Sequence, residues 1–250
     1  MRKARRKRRR EQRERRRRAR KLKRRTRNLR RTRRPRRRRR RRPRKKRPTR
    51  RISTRSKQNR ASPVKIVCGL GNPGSEYAHT RHNAGFEATD RLAERLGCRL
   101  RRSFRFRARM CRAAHDETAI WIVQPLTYMN LSGPTVAAIM RAKGCGASDL
   151  IAVFDDADLP VGKLRIRRRG SSGGHKGLGS LIEALGTDDF ARIRIGIGRE
   201  KSGGDLVEHV LSRWSAEEWE LVSPVIEKAV EAALCIVESG VEAAMNRFNG

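Results

Sequence analysis

The chain has 250 residues, 36% of them hydrophobic and 36% charged, and its formal net charge is +40. This length fits one domain with or without a terminal tail, and the chain has no run of eighteen apolar residues, so we expect no transmembrane helix. Residues 1–60 contain 39 Lys and Arg but only 2 Glu, whereas the other 190 residues carry a net charge of +3. The extreme basicity therefore belongs to an N-terminal segment and not to the rest of the chain.

Residues 1–62 are predicted to be a disordered tail rich in Arg and Lys. The segment has almost no apolar residues to offset the entropy of ordering, and residues 36–42 are seven consecutive arginines. It lacks the apolar region of a secretory signal. Two interpretations remain open. The tail binds RNA or the ribosome without sequence preference through phosphates, or it is not translated. If the tail is not translated, the start codon must be other than AUG, for example at Val64, because no Met lies between Met1 and Met110.

From residue 63 to residue 250 the pattern predicts one globular domain in which strands alternate with helices. Strands are predicted at 64–70, 104–113, 118–124, 150–154, 163–169 and 192–197. Helices are predicted at 83–96, 132–143, from the loop at 170–174 to residue 185, and at 216–239, with Ser132 and Ser215 as N-caps. A turn at 115–117 predicts a hairpin, so the sheet is mixed. The fold class is α/β: a single three-layer domain with a twisted mixed β-sheet flanked by helices.

The five cysteines are scattered and odd in number. They are Cys68, Cys98, Cys111, Cys145 and Cys235. No Cys-x-x-Cys or Cys/His ligand spacing is present, which favours a reducing compartment and argues against a zinc site or a disulfide framework.

A glycine-rich turn, Gly-Leu-Gly-Asn-Pro-Gly at 69–74, follows the first predicted strand. It formally matches the dinucleotide-binding pattern, but that pattern needs a helix that opens directly on the glycines with free N–H groups. Pro73 lacks an N–H, and the helical pattern begins only near His82. Dinucleotide binding is therefore disfavoured. Considered alone, His82 is more typical of a capping or packed histidine than of a catalyst.

Two further segments offer polar side chains. Asp155, Asp156 and Asp158 follow a short apolar strand, at the kind of strand end where α/β folds build sites. A divalent metal is conceivable, but adjacent residues of a strand point to opposite sides, so we interpret Asp155 as the one functional carboxylate. The Gly-rich loop before Lys176 follows a basic strand, which suits either phosphate binding or a solvated loop tip.

Seven segments in order resemble the signature of the bacterial peptidyl-tRNA hydrolase family, from about residue 64 to residue 249. They are GLGNPG, TRHNAG, MNLSG, DDADLP, GGHKGL, RIGIGR and AMNRFN. The resemblance implies an enzyme that cleaves the ester between tRNA and a peptide, or an N-blocked amino acid, in peptidyl-tRNA released from ribosomes. It also implies a catalytic domain at 63–250, action on the tRNA acceptor end, a cytoplasmic location, a monomer, and no cofactor, metal or membrane.

The resemblance also implies roles for individual residues. His82 matches the general base, Asp155 the carboxylate that orients it, and Asn72 and Asn130 the substrate-positioning amides. The other implied site residues are Tyr77, Met129 and Lys176 for substrate, and Arg167 and Arg194 for tRNA phosphates. Lys176 stands where the family most often has asparagine, and lysine can donate but not accept a hydrogen bond.

Two other functions compete with hydrolysis. A non-catalytic RNA-binding protein on the same fold is favoured by the tail and by Lys176. The hydrolase is favoured by the intact set of Asn72, His82, Asn130 and Asp155, since a binding protein has no need of a general base. A nicotinamide enzyme depends on the glycine pattern alone.

Overall fold

The computed structural model describes residues 64–199 and 205–250. The strands are β1 (Val64–Gly69), β2 (Arg101–Ser103), β3 (Ala108–His115), β4 (Thr118–Pro125), β5 (Leu150–Asp156), β6 (Leu164–Arg169) and β7 (Asp189–Gly196). The helices are α1 (Ala84–Arg95), α2 (Ser132–Lys143), α3 (Lys176–Leu185), α4 (Leu206–Leu211), α5 (Ala216–Ser239) and α6 (Val241–Phe248). None of these helices is long and apolar enough to cross a membrane. The predicted tail at 1–62 lies outside the described residues.

One seven-stranded sheet runs through the domain in the order β2-β3-β4-β1-β5-β7-β6. The four central strands are parallel, whereas β2, β3 and β6 join antiparallel at the two edges. The sheet is therefore mixed, which confirms the predicted class. The three innermost strands β4, β1 and β5 are mostly apolar because helices cover both of their faces.

Side chains alternate between the two faces of the sheet and form two cores. Val67 of β1 belongs to the core under α1, α5 and α6, while its neighbours Ile66 and Cys68 belong to the core under α2 and α3. Three layers result, with the carboxyl ends of β1, β4, β5 and β7 at one edge of the sheet. This arrangement brings the loops after those strands together.

Two local predictions are wrong. Strand β3 begins at Ala108 and not at residue 104, because residues 104–107 form the tip of a hairpin with β2 and Arg107 has a φ of 48°. Ser132 does not cap α2, since a 3₁₀ turn at Met129–Leu131 leads directly into the helix. By contrast, Ser215 caps α5 as predicted and forms a capping box with Glu218.

The structure brings Cys98 and Cys111 together as a pair, which the sequence argument against a disulfide framework did not anticipate. Their Cα atoms are 6.2 Å apart. The chain passes from the end of α1 to β2 and returns in β3, so both side chains reach the same apolar core. Spacing along the sequence carried no signal for this pairing because it arises from packing of α1 on the sheet.

Candidate active site

A cavity of about 570 Å³ opens where the central strands end. Its wall includes five residues singled out from the sequence: Asn72, His82, Met129, Asn130 and Asp155. These residues come from four separate segments, and the parallel strands bring them to one edge of the sheet. This is the place where α/β sheets generally build their sites.

His82 is oriented by Asp155. Its ring nitrogen Nδ1 lies 2.9 Å from both carboxylate oxygens of Asp155, and only 9% of His82 is exposed. The histidine sits in the 3₁₀ turn Arg81–Asn83, just before α1, where the backbone N–H of Arg81 donates to the carbonyl of Ser212. Because Nδ1 donates to the carboxylate, Nε2 is the unprotonated nitrogen. His82 is therefore set up to accept a proton at Nε2.

Asp155 also accepts a hydrogen bond from a second histidine, His175, whose Nε2 lies 3.1 Å from Oδ1. The other ring nitrogen of His175 accepts from the backbone N–H of Leu178 and so caps α3. That bond requires the hydrogen of His175 to be on Nε2. From the sequence, a structural role for His175 was favoured over a catalytic one. Its signal was its position as the N-cap of a helix after a glycine-rich loop.

The carboxylate of Asp155 is 2% exposed yet remains ionised. Burial by itself raises the pKa of this carboxyl, but the charges and hydrogen bonds of His82 and His175 outweigh burial and hold its pKa well below the usual range. The two rings and the carboxylate could in principle hold a cation, but both ring nitrogens contact Asp155 directly at hydrogen-bond distance.

Asn72 is clamped so that its amide group faces the cavity. The side chain of Asn83 accepts from the Asn72 backbone N–H at 2.8 Å and donates to its carbonyl at 3.1 Å. The Asn72 side-chain oxygen accepts from the backbone N–H of Met129 at 2.8 Å. With the oxygen engaged, the NH₂ group is the part of Asn72 left to donate to a ligand.

The glycines of the first motif serve close packing. A Cβ on Gly69 would lie 2.2 Å from the carbonyl oxygen of Gly85 in α1, and one on Gly71 would lie 2.7 Å from the ring of Phe86. Helix α1 begins at Ala84, ten residues beyond Gly74. The motif therefore does not open directly into a helix, in agreement with the sequence argument against a dinucleotide fingerprint.

The remaining predicted substrate residues differ in position. Met129 is buried and Asn130 is exposed, and both occupy the 3₁₀ turn before α2 on the cavity wall. Lys176 is exposed on the same wall, at the first position of α3. Tyr77 lies in the 3₁₀ turn Ser75–Tyr77 and is not among the residues that line the cavity.

Arginines form one side of the cavity. Arg167 and Arg192 are directly opposite each other on β6 and β7, next to the pair Arg165 and Arg194. Of these, Arg167, Arg192 and Arg194 line the cavity. Arg167 forms no ion pair within the described residues, whereas Arg194 pairs with Asp156. Arg192 is buried and donates to the carbonyls of two loops. It was not predicted from the sequence, although its position two residues before Arg194 places it on the same face of the strand.

The three aspartates after β5 have different partners. Asp155 binds the two histidines, Asp156 binds Arg194, and Asp158 binds Arg199 at 2.6 Å. The carboxylates therefore do not converge, which agrees with the interpretation of Asp155 as the one functional member.

An apolar wall completes the cavity. Leu206 and Val207 of α4 are each almost half exposed, and Val210 and Leu211 of the same helix also line the space. Helix α4 was not predicted from the sequence. An enclosure with arginines on one side and aliphatic side chains on another suits a ligand that is part polyanion and part peptide.

Comparisons with known proteins agree with the motifs. The family model described as peptidyl-tRNA hydrolase matches residues 66–250. The peptidyl-tRNA hydrolase of Caldanaerobacter subterraneus is 46% identical over 185 residues, covering 74% of this chain and 99% of the relative, and that of Desulforamulus reducens is 46% identical over 186 residues, covering 74% and 89%. The crystal structure of peptidyl-tRNA hydrolase from Acinetobacter baumannii is 33% identical, with a TM-score of 0.71 over 76% of this chain and 96% of that one. The chain belongs to the peptidyl-tRNA hydrolase family.

Proposed function

We propose that the protein hydrolyses the ester bond between peptide and tRNA in peptidyl-tRNA with His82 as the general base. Membership of the family supports the reaction. The observation that carries the assignment of the base is the hydrogen bond of His82 Nδ1 to the buried carboxylate of Asp155, which leaves Nε2 on the cavity side of the ring as a proton acceptor. The site therefore combines a positioned base, amide donors and an arginine face.

The reaction runs by direct attack of water. Nε2 of His82 takes a proton from water while the hydroxide oxygen adds to the ester carbonyl carbon. The tetrahedral intermediate then expels the ribose oxygen, which takes the proton from the imidazolium. Asp155 favours the imidazolium as it forms and keeps Nδ1 protonated. A base positioned in this way contributes about 10²- to 10⁴-fold to the rate.

Two asparagines act as donors to the substrate. The NH₂ group of Asn72 is aimed by the bond from Met129 N–H to its oxygen, and Asn130 lies on the next turn of the same wall. Amide donors placed before the reaction begins stabilise the negative charge that develops on the carbonyl oxygen. Met129 contacts the peptide portion, whereas Tyr77 lies outside the cavity lining and is left without an assigned contact. Lys176 offers a point charge to a phosphate or a peptide carbonyl.

Arg167 and Arg194 contact tRNA phosphates near the acceptor end. Arg167 has no competing ion pair among the residues that the structure describes, whereas Arg194 must share its charge with Asp156. Phosphate contacts of this kind give affinity for tRNA in general and not for one tRNA. We assign residues 63–250 to the catalytic domain and 1–62 to a tail that binds RNA or the ribosome, in a cytoplasmic monomer.

Single-turnover release of N-acetyl-aminoacyl groups from tRNA tests the assignment of the base. His82→Ala is expected to abolish release, because the base is gone, while tRNA affinity stays nearly unchanged. The matched control is His115→Ala, since His115 pairs with Glu238 away from the cavity. Equal loss of release and of tRNA binding in His82→Ala would refute the catalytic role.

The second candidate is a non-catalytic RNA-binding protein, and Lys176 at the cavity wall is the observation that favours it. The same experiment separates the two functions. If the unaltered protein binds tRNA but releases nothing, the binding function stands, and Lys176→Asn then tests whether this side chain blocks productive substrate orientation.

A further inference from the structure

A second basic surface lies on the β2–β3 hairpin. Arg101 and Arg102 on β2, and Arg105 and Arg107 at the tip, are all exposed. Between them Phe104 is 86% exposed, the highest value among the large hydrophobic side chains of the described residues. An apolar ring held in water by a tight turn and surrounded by guanidinium groups contributes nothing to the core.

The surface continues from the hairpin onto the face of the sheet beside α2. Arg112 of β3 is directly opposite Trp121 of β4. Lys143, at the end of α2, places its Nζ 3.5 Å from the centre of the Trp121 ring. Partial burial and the neighbouring charges of Arg105 and Arg112 together lower the pKa of Lys143, so these cations lie close enough to repel one another.

These cations have no acidic partners in residues 64–199 and 205–250. Eight other Lys and Arg side chains of the described residues form ion pairs, and none of the six cations of this surface is among them. A cluster of unpaired like charges costs free energy, so stability does not account for it. We define the hairpin surface as Arg101, Arg102, Phe104, Arg105, Arg107, Arg112, Trp121 and Lys143. It wraps around the edge strand β2, because the adjacent Arg101 and Arg102 point to opposite faces of the sheet.

Aromatic rings and arginines alternate along the hairpin. The guanidinium of Arg102 is 5.7 Å from the centre of the Phe104 ring, and that of Arg105 is 5.2 Å from the Phe106 ring. Phe106 packs on the core beside α2, so of the two hairpin phenylalanines Phe104 is the exposed one. Cations that follow a phosphate backbone, beside an exposed ring on which a base can stack, are the arrangement by which proteins bind unpaired nucleotides.

The tip of the hairpin lies beside the active-site rim. The backbone N–H of Leu126 donates to the carbonyl of Arg107 at 2.7 Å. Leu126 begins the segment that reaches the cavity wall at Tyr128, Met129 and Asn130. In the sheet order, β2 and β3 are at the opposite edge from the arginines of β6. The hairpin surface and the arginine face therefore flank the catalytic cavity on two sides.

We propose that the hairpin surface is a second RNA-binding surface, on which an unpaired nucleotide stacks on Phe104 while the surrounding cations bind phosphates. The RNA is either another part of the tRNA substrate or a separate RNA. This inference goes beyond the hydrolytic function and does not depend on the role of His82.

The test uses the full chain with Arg102→Gln and Arg105→Gln combined, and a matched control with Lys228→Gln and Arg247→Gln. Both pairs are exposed, and each variant removes two charges, the control pair from α5 and α6. Binding of deacylated tRNA and of an oligouridine of about 12 nucleotides is measured between about 50 and 200 mM salt. The hairpin variant is expected to lower the salt slope for the oligouridine by about 1.4, at about 0.7 per phosphate contact, and the control to leave it unchanged.

Phe104 is tested in a separate variant. The N-terminal arginines contribute equally to every variant, so they do not affect the comparison. Phe104→Ala is expected to weaken oligouridine binding about 5- to 100-fold, and Phe104→Tyr, which keeps the ring, to restore it. Photocrosslinking with oligouridine that carries 4-thiouridine identifies the peptide that contacts the RNA. Crosslinks on the peptide that contains Phe104 are expected in the unaltered chain and lost in Phe104→Ala.

Two supporting outcomes distinguish the source of the RNA. A raised KM for peptidyl-tRNA with unchanged kcat in the hairpin variant identifies the substrate itself. Weaker oligouridine binding with unchanged KM identifies a separate RNA. The proposal is overturned if the hairpin and control variants bind both RNAs alike and no crosslink maps to Phe104, an outcome that would leave an acidic protein or an anionic lipid as the partner.

Discussion

At the scale of single residues, the proposed chemistry depends on one buried carboxylate with two histidine partners. His175 caps α3 through Nδ1, so its Nε2 must donate to Asp155. His82 donates to the same carboxylate through Nδ1. Asp155 thus accepts from both histidines, stays ionised, and fixes the ring on which the proposed reaction depends. His175 acts here as a positioning residue for Asp155.

Asp155→Asn is expected to lower kcat by about 10²- to 10⁴-fold with little change in tRNA affinity. The amide has no charge to favour the imidazolium, and its NH₂ group opposes one of the two histidine N–H groups. Steady-state kinetics and tRNA binding measure the effect. Asp156→Asn is the matched control, because the neighbouring carboxylate binds Arg194 and not His82. Equal losses of kcat in both variants would contradict the orienting role.

The same carboxylate is expected to make the free energy of unfolding depend on pH in the acidic range. The pKa of Asp155 is lower in the folded protein than in the unfolded chain, so the unfolded state binds the proton more readily. Its contribution to the free energy of unfolding is complete above the unfolded pKa and is lost as the pH falls through the folded pKa. Urea unfolding from neutral to acidic pH measures it. The stability difference between the unaltered protein and Asp155→Asn should shrink as the pH falls, and a constant difference would count against the low pKa.

At the scale of elements, the position of His82 depends on how closely α1 approaches the sheet. Gly85 of α1 lies against the end of β5 and the backbone of Leu70, and a Cβ there would be 2.3 Å from the carbonyl oxygen of Val153. Gly69 provides the matching gap on β1. These two glycines let the turn that carries His82 come within hydrogen-bond distance of Asp155.

Gly85→Ala is expected to destabilise the fold by about 1 to 3 kcal/mol, because the added methyl must push backbone apart. Gly179→Ala in α3 is the matched control, since a Cβ at Gly179 meets only Ser172, at 3.7 Å. Alanine there should be neutral or stabilise the helix by about 0.5 to 1 kcal/mol. Chemical unfolding of both variants measures the difference, and similar stabilities would show that α1 can move away without cost.

The predictions of individual elements succeeded where a local pattern decided the structure. The buried strand β1 and the capped helix α5 were predicted within a residue of their bounds, because an apolar run and a Ser-x-x-Glu box are local signals. Residues 104–107 were wrongly predicted to be part of a strand, because phenylalanines alternate there with arginines as in a half-buried strand. Helix α6 was missed because Gly240 interrupts the chain directly after α5.

At the scale of the whole molecule, charge is segregated. The nearly neutral residues after 60 contain two basic surfaces, the arginine face of β6 and β7 and the hairpin surface, on either side of the cavity. A cavity between two positive surfaces concentrates a polyanionic ligand at its mouth. Residues 1–60, with 39 Lys and Arg and 2 Glu, carry further positive charge.

A chain that begins at residue 61 is expected to bind RNA less tightly and with a smaller salt slope, while its single-turnover rate is unchanged. The reason is that the role proposed for the tail is to contact phosphates, whereas every residue assigned to the chemistry lies beyond it. Filter binding across salt concentrations, together with release from N-acetyl-aminoacyl-tRNA, measures both quantities. A chain with the tail arginines replaced by lysines is the control and should keep its slope. An unchanged slope after removal of the tail would mean that it does not engage RNA.

The sequence by itself determined the family, the mixed α/β class, and the cavity positions of Asn72, His82, Asn130 and Asp155, because ordered motifs and strand ends are readable along the chain. Only the tertiary structure decided the partners of these residues. The second histidine on Asp155, the clamp on Asn72 and the Cys98–Cys111 pair each join separate elements of the fold. The two basic surfaces come from opposite edges of the sheet, and only the strand order places them on either side of the cavity. Local patterns report periodicity and turns, whereas contacts between distant segments depend on how the layers pack.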